Sequence, residues 1–473
     1  MIKKYSVKKL LNQGKFLLNK KVLVEGWIRS FRYSIFISLN DGSTIKNLQI
    51  VLSTNNKLDK IIMKKITIGS SIKVIGIVKK SIGKKQYIEL QSLDITIYEL
   101  VNPEIFQKSI LQPKRHSFEK LREQAHLRFQ TNIFSCIMRI RHHIAFCIHK
   151  YFHEHGFFYL HTPIITTSNC EGTGKMFQIT TMDLKKNQLI DYAKDFFKCK
   201  TYLSVSGQLE AETAALGLGK VYTFGPVFRA ENSNTSRHLS EFWMIEPEIA
   251  FYHLEENINL AEKFLKFVIR YIVENSMEDL IFLNQCLEKW KKKKKNYLLE
   301  KLELILKFPF KKISYTETIK ILDQEEKKKN IKFLHPIIWG MDLKSEHEQY
   351  LVDIYFKKIP VIIFDYPCSI KAFYMRMNND GKTVRAMDVL FPEIGEIIGG
   401  SQREERYDML LQRMKDTNVD FNKLWWYLDT RRFGSVPHSG FGLGFDRLVQ
   451  FITGMNNIRD VIPFPRTPNN AEF

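Results

Sequence analysis

The stretch from Phe228 to Phe251, FRAENSNTSRHLSEFWMIEPEIAF, decides how the chain is read. Its ends are apolar and strand-like and its middle is polar, the pattern of a hairpin. A tip that only had to turn the chain would use Gly, Asn and Ser. This one carries Arg229, Glu231, Arg237 and His238. Two arginines flanked by a carboxylate and an imidazole point to a polyanionic ligand, a phosphate ester.

A second stretch, Gly434 to Phe473, reads GSVPHSGFGLGFDRLVQFITGMNNIRDVIPFPRTPNNAEF. Gly440, Gly442 and Gly444 alternate along an extended run, and glycine inside a strand marks close approach of a ligand or another backbone. Asp446 and Arg447 then open an amphipathic helix through Leu448, Val449, Phe451 and Ile452, which Gly454 ends. An arginine at a strand-to-helix junction, beside bare backbone, suits a flat ligand bearing a phosphate. The GxGxxG dinucleotide loop is excluded, because its acidic ribose partner and βαβ frame are missing.

The 473 residues allow two to four domains, and 44% hydrophobic content allows a large core. The net charge of +21 has two readings. One is a nucleic acid or anionic membrane partner. The other is a lysine coat on a chain rich in Ile, Lys and Asn. No apolar run reaches membrane-spanning length, and the opening MIKKYSVKKLLNQGK has no secretory pattern. The six cysteines are scattered without a CxxC pair. That argues against a zinc site or disulfide framework and fits a reducing cytoplasm.

Residues 21 to 100 read as five short strands, with turn signals at Asp41-Gly42 and Gly83. Five strands in that length predict an OB-fold barrel over residues 1–102, a fold that often binds single-stranded nucleic acid. Arg29 and Arg32 among Phe31, Tyr33 and Phe36 favour that use over a domain that merely packs. Residues 103–130, basic and punctuated by proline, read as a hinge. A second domain spans 131–473 and starts with a helix carrying Ile137, Ile140, Ile144, Ile148 and Phe152 on one face. The five histidines along or just beyond it read as solvated rather than metal-binding. Residues 254–336 read as a helical insertion whose lysine runs are solvated faces.

With these stretches in hand, the chain resembles the class II aminoacyl-tRNA synthetases of the aspartate–asparagine–lysine subgroup. GFFYLHTPII, from Gly156, is similar to the family's first motif, with Pro163 at a dimer interface. FRAENSNTSRHLSEF is similar to the second and GFGLGFDRL to the third. RAENSNTSRHLSEFWMIEPEIAF and RDVIPFPRTPNNAEF most closely resemble the asparagine-specific branch. The resemblance implies an α+β fold: the OB barrel, then a catalytic domain of antiparallel sheet flanked by helices. It implies a homodimer that uses ATP, Mg²⁺, L-asparagine and tRNA(Asn).

It also implies roles. Arg229 holds the α-phosphate and the incoming carboxylate. Glu231 meets the adenine edge, with Phe242 under its face. Arg237 and His238 reach the terminal phosphates, and Arg447 covers the adenine. Glu396, in EIGEIIGGSQREER, resembles the Mg²⁺ ligand, and Asp388 is a candidate second one. Gly399 stands where the aspartate enzymes often carry a serine.

Asparagine and aspartate are nearly isosteric, so charge and hydrogen-bond polarity must separate them. The aspartate enzymes place a lysine three residues after the glutamine of a Ser-Pro-Gln segment; here VSGQLEAET has Ala211 there, between Glu210 and Glu212. A carboxylate repels aspartate and accepts the amide N–H of asparagine. Glu212 is favoured over Glu210 for that role. Arg403 donates to the side-chain oxygen, Glu171, Ser206 and Gln208 resemble the α-ammonium pocket, and His438 lies nearby. In the barrel, Phe36 fits the residue that stacks under an anticodon base, Gln49 the reader of the central uracil, and Arg29 the backbone path. Asp446 stands where the asparagine enzymes usually carry glutamate. Two alternatives stay open: an aspartate-specific enzyme, and a synthetase-like protein without charging activity.

Overall fold

The computed structural model describes residues 2–53, 66–83, 86–168, 175–183, 191–291, 293–329 and 331–473. It divides into two compact units. One is Met1–Arg139 with Ile281–Leu283 and Phe473; the other is Ile140–Leu280 with Asn284–Glu472.

In the first unit, β1 (Lys21–Arg32), β2 (Phe36–Asn40), β3 (Leu48–Val51), β4 (Ser71–Lys80) and β5 (Ile88–Glu99) close into a barrel in the order β1-β2-β3-β5-β4. Alternation turns Val22, Val24, Ile28, Ile37, Leu39, Leu48, Ile50 and Val74 inward, all buried. Each such side chain contributes about 1.5–3 kcal/mol on leaving water. Closure needs bare backbone at the crossings. A Cβ on Gly76 would lie 2.4 Å from the Gln91 carbonyl oxygen. The expected hinge holds two short capped helices, Pro103–Lys108 behind Asn102 and Phe118–Glu123 behind Ser117.

The second unit is built on an eight-stranded sheet in the order β12-β13-β14-β15-β16-β11-β10-β6. Its strands are β6 (Phe158–Tyr159), β10 (Lys220–Phe228), β11 (Glu241–Ala250), β12 (Lys311–Ser314), β13 (Val361–Pro367), β14 (Thr383–Phe391), β15 (Gly395–Gln402) and β16 (His438–Gly444). From β13 to β10 neighbours run antiparallel, and the edge strands β12 and β6 pair in parallel. A small second sheet orders β7 (Ile165–Thr166), β9 (Thr201–Leu203) and β8 (Gln178–Ile179).

The hairpin expected at Phe228–Phe251 is β10–β11, in register from Lys220↔Ile249 to Phe228↔Glu241. Helix Leu254–Asn275 covers the sheet with Ile258, Ala261, Phe264, Leu265, Val268 and Ile272, a 3.6-residue stripe. The 254–336 insertion is not purely helical. Its helices Leu254–Asn275, Met277–Lys291, Tyr297–Lys307 and Tyr315–Lys329 are interrupted by β12, which extends the main sheet. Four residues, KKIS, are too few to show a period of two. No helix among the described residues is long and apolar enough to cross a membrane.

Candidate active site

One face of the sheet carries a cleft lined by Arg229, Glu231, Arg237, His238, Phe242, Glu396 and Arg447. These come from the β10–β11 hairpin, from β15 and from helix Phe445–Thr453, so three distant segments converge. Gly442 and Gly444 of β16 line the same cleft. A Cβ on Gly442 would lie 2.6 Å from Met244 Cε, so the bare backbone keeps this wall flat.

Each cation is held by main chain or ring. The Arg229 guanidinium lies 5.4 Å from the Phe242 ring centre, and the residue's backbone N–H donates to the Ser240 carbonyl at 2.9 Å. Arg237 Nη2 donates to the Glu393 carbonyl at 3.2 Å. Arg447 Nη1 donates to the Glu396 carbonyl at 2.9 Å. His238 Nδ1 lies 2.6 Å from Thr235 Oγ1. Burial, then the Arg447 charge, push the imidazole below its usual pKa, so His238 is neutral at pH 7. The cleft therefore offers three guanidinium groups to an anion.

Opposite them stand carboxylates. Glu396 opens onto the cleft while protein crowds it from behind. Asp388 of β14 approaches it across Gly399, where a Cβ would lie 3.2 Å from Glu396 Oε1 and 3.6 Å from Asp388 Oδ1. Asp388 Oδ2 already accepts from Lys371 Nζ at 2.6 Å, so only its other oxygen faces Glu396. Burial opposes the Lys371 charge, but Asp388 and Glu396 outweigh it and raise its pKa. A third carboxylate, Glu348, was not singled out from sequence. Burial, Glu396 and Asp388 push it up to about 7. Burial and Asp388 likewise raise Glu396. Like charges crowded in this way are the environment a divalent cation relieves.

A buried polar cluster adjoins. Gln208 and Glu212 sit on helix Gln208–Leu218, one turn apart, with Gln208 Nε2 donating to Glu212 Oε1 at 3.0 Å. Glu212 is fully buried and accepts from Arg431 Nη2 at 2.7 Å and the Tyr427 hydroxyl at 2.8 Å. His438 Nε2 lies 3.0 Å and Arg403 Nε 3.9 Å from it. Burial opposes its ionisation, but Arg431, His438 and Arg403 outweigh that and hold it well below the usual carboxylate range. Arg403 is gripped by Glu248, through Nη2 and through Nε at 3.1 Å. Both guanidinium groups are thus committed to buried carboxylates. Gly440 leaves room for the pair, since its Cβ would lie 2.2 Å from the Glu248 carboxylate.

Glu210 was the alternative reader of an amide. Being two residues away on a helix, it points away from Glu212 and takes no part in the cluster's bonds. Ser206 donates to Glu246, which also accepts from Gly207 N–H at 3.0 Å and Thr223 Oγ1 at 2.9 Å. Glu171 lies outside the described residues. Glu246, Glu248, Tyr427 and Arg431 went unnoticed in the sequence. Two carboxylates inside the apolar run MIEPEIAF were the signal for the first pair.

Asp446, which stands where glutamate was expected, is buried at the edge of the cleft. It accepts from Arg141 Nη1 at 2.5 Å and from the Trp243 N–H at 3.0 Å. Pro163 is exposed in a stretch with exposed Phe158, Tyr159, Ile164 and Ile165.

On the barrel, Phe36 and Gln49 share the outer face, each alternating with inward residues of β2 and β3. Phe36 is therefore not barrel core. Its ring meets exposed Tyr33 edge-on at 6.5 Å, and Gln49 Nε2 donates to Glu89 Oε2 at 3.1 Å. Arg29 departs from expectation. Its Nη1 donates to the Gln130 carbonyl, and burial lowers its pKa, so its guanidinium braces the chain rather than lying open along a nucleic-acid path.

Residues 117–468 match the model of tRNA synthetases class II (D, K and N), and residues 22–105 match that of the OB-fold nucleic acid binding domain. The chain is 55% identical over 463 residues to an asparagine–tRNA ligase of Azobacteroides pseudotrichonymphae, covering 96% of each. It is 57% identical over 460 residues to that of Parabacteroides distasonis, again covering 96% of each. Among solved structures, it is similar to the asparaginyl-tRNA synthetase of Pyrococcus horikoshii complexed with asparaginyl-adenylate. That match has a TM-score of 0.83 and 31% identity over 100% of both chains.

Proposed function

From a chain that belongs to the class II aminoacyl-tRNA synthetases of the D, K and N group, we infer an enzyme that ligates L-asparagine to tRNA(Asn). ATP and asparagine give asparaginyl-adenylate and pyrophosphate; the acyl group then moves to the tRNA and AMP leaves. The observation that carries the choice of amino acid is Glu212. It is an ionised, fully buried carboxylate to which the Gln208 amide already offers the kind of donor asparagine presents. The charges of Arg403 and Arg431 are already balanced by Glu248 and Glu212, so neither brings an uncompensated cation to an aspartate side chain, while Arg403 keeps N–H groups for a neutral carboxamide oxygen.

The α-carboxylate of the amino acid is already ionised at neutral pH, so the attack on the α-phosphate needs no general base. What it needs is one anion brought to another, which is a matter of placement and charge. Arg229 bridges the two anions. Arg237 and His238 take the terminal phosphates, and Arg447 covers the adenine, whose edge meets Glu231 and whose face rests on Phe242. Three guanidinium groups in one cleft support this division of labour. Glu396, with the outward oxygen of Asp388, would hold Mg²⁺, which neutralises phosphate charge when bound.

In the amino-acid pocket, Glu171, Ser206 and Gln208 receive the α-ammonium, Arg403 and Glu212 read the carboxamide, and His438 steadies Glu212. The barrel, residues 1–102, reads the anticodon through Phe36 and Gln49, with Arg29 as a brace. The catalytic domain, 131–473, pairs with a second copy around Pro163, which the exposed Phe158, Tyr159, Ile164 and Ile165 support. A tRNA-charging activity supports a cytoplasmic location. Charging of a tRNA(Asn) transcript with labelled asparagine or aspartate tests the reading. Asparagine should be attached and aspartate refused; attachment of aspartate at a comparable rate overturns it.

A further inference from the structure

The turn between β14 and β15 is gripped at both ends by carboxylates from one short segment. Helix Ser345–Gln349 runs directly into a π-helical turn, Tyr350–Tyr355. Such turns are rare and occur often at functional sites. Here the segment presents Glu348 and Asp353. Asp353 Oδ2 accepts from the Glu393 N–H at 3.3 Å, and the Glu396 N–H lies near enough to the Glu348 carboxylate to favour its charged form.

The turn between these grips is strained in a way that leaves space for Glu348. Glu393 has φ +68° and Gly395 φ +78°, both left-handed. At Gly395 a Cβ would lie 2.5 Å from Glu348 Oε2 and 3.3 Å from Arg237 Nη1. The carboxylate and the guanidinium therefore close over the same bare backbone. Arg237 also donates to the Glu393 carbonyl, so it is tied to the turn while the nearby Glu348 charge acts on it across the gap. Glu348 itself is not among the residues lining the cleft.

We propose that Glu348 is a positioning residue for adenylate formation, orienting Arg237 and the Glu396 end of β15 toward the terminal phosphates of ATP. The proposal rests on the reading of the cleft as the ATP site. It predicts a selective defect. The first half-reaction, which handles pyrophosphate, depends on Arg237 and Glu396. The second, transfer from a preformed adenylate to tRNA, does not involve the terminal phosphates.

The test compares wild type with Glu348→Gln, Glu348→Ala and Glu348→Asp in ATP–pyrophosphate exchange. A second measurement is single-turnover transfer from isolated enzyme–asparaginyl-adenylate. For Glu348→Gln and Glu348→Ala, exchange should fall roughly 10- to 100-fold, the scale of a small misplacement. The KM for ATP should rise, the KM for asparagine should hold, and transfer should stay within about twofold of wild type. Glu348→Asp should recover part of the exchange rate. Two results overturn the proposal: normal exchange and KM for ATP in both variants, or equal losses in exchange and transfer, which mark a mere fold brace. Wild-type exchange with asparagine is the reference. Its absence would remove the functional reading itself, whereas its presence beside normal variants removes only this proposal.

Discussion

Arg447 and Glu396, 51 residues apart, meet through the Glu396 carbonyl, which accepts from Arg447 Nη1 at 2.9 Å. That bond ties the helix after β16 to the strand bearing the acidic wall. The guanidinium is thereby set before any ligand arrives, and the cost of ordering it falls in folding rather than in binding.

Removing this group, or its counterpart on the hairpin, should disable the first half-reaction. For Arg447→Ala and Arg229→Ala, ATP–pyrophosphate exchange should fall ~10²–10³-fold, the scale for losing a donor to a developing charge. Circular dichroism should be unchanged. Exchange near the wild-type rate in either variant contradicts the assignment.

Glu212→Gln should weaken both selectivity and stability. It leaves Arg431 buried beside a neutral partner, a loss of about 3–5 kcal/mol by analogy with broken buried pairs. Its folded-state pKa is depressed, so its contribution is fully present above the unfolded carboxyl value of ~4.3 and is lost as pH falls through the lower folded value. Urea melts of wild type and variant should differ at pH 7 and converge in acid. A constant gap across that range would show that ionised Glu212 is not the source.

Asp446→Ala should destabilise the protein without touching amino-acid choice. Asp446 is 1% exposed and pairs with Arg141 at 2.5 Å. Breaking the pair should cost about 3–5 kcal/mol in urea denaturation. The ratio of exchange rates with asparagine and aspartate should not move.

Phe36→Ala and Gln49→Ala separate the two units. Loss of a stacking contact is worth ~1–3 kcal/mol, so the KM for tRNA should rise about 5- to 150-fold for Phe36→Ala, and exchange should be untouched. Because Gln49 is tethered to Glu89, Glu89→Ala should produce a milder effect of the same kind. An unchanged tRNA KM in all three would move the anticodon site elsewhere.

Light scattering should give about twice the chain mass of 55.8 kDa. Charged substitutions at the exposed Tyr159 and Ile164 should lower that mass.

The parts of the site that could be read from sequence lie in contiguous, locally patterned stretches. Arg229 to His238 share one hairpin tip, and Arg447 follows a glycine-alternating strand, so chemistry and local structure agree. Glu212 was harder. Its stretch also read as a helix start carrying a solvated pair of carboxylates, and only the helical spacing separates it from Glu210. Glu348, Lys371, Tyr427 and Arg431 had no local signal, because each matters only through a partner far along the chain. Arg29 shows the reverse case. Basic residues among aromatics look like a nucleic-acid face, yet this one is spent on the Gln130 carbonyl. The strand β12 was lost to brevity and charge.

The central claim is a cleft for ATP beside a pocket fitted to a neutral carboxamide. It is tested most directly by kcat/KM for ATP–pyrophosphate exchange with asparagine and with aspartate, measured side by side on the wild-type enzyme. A preference for asparagine of ~10⁴-fold is expected, the scale by which a site built around buried hydrogen bonds rejects a mismatched group. Comparable values for the two amino acids, or a preference for aspartate, would contradict it.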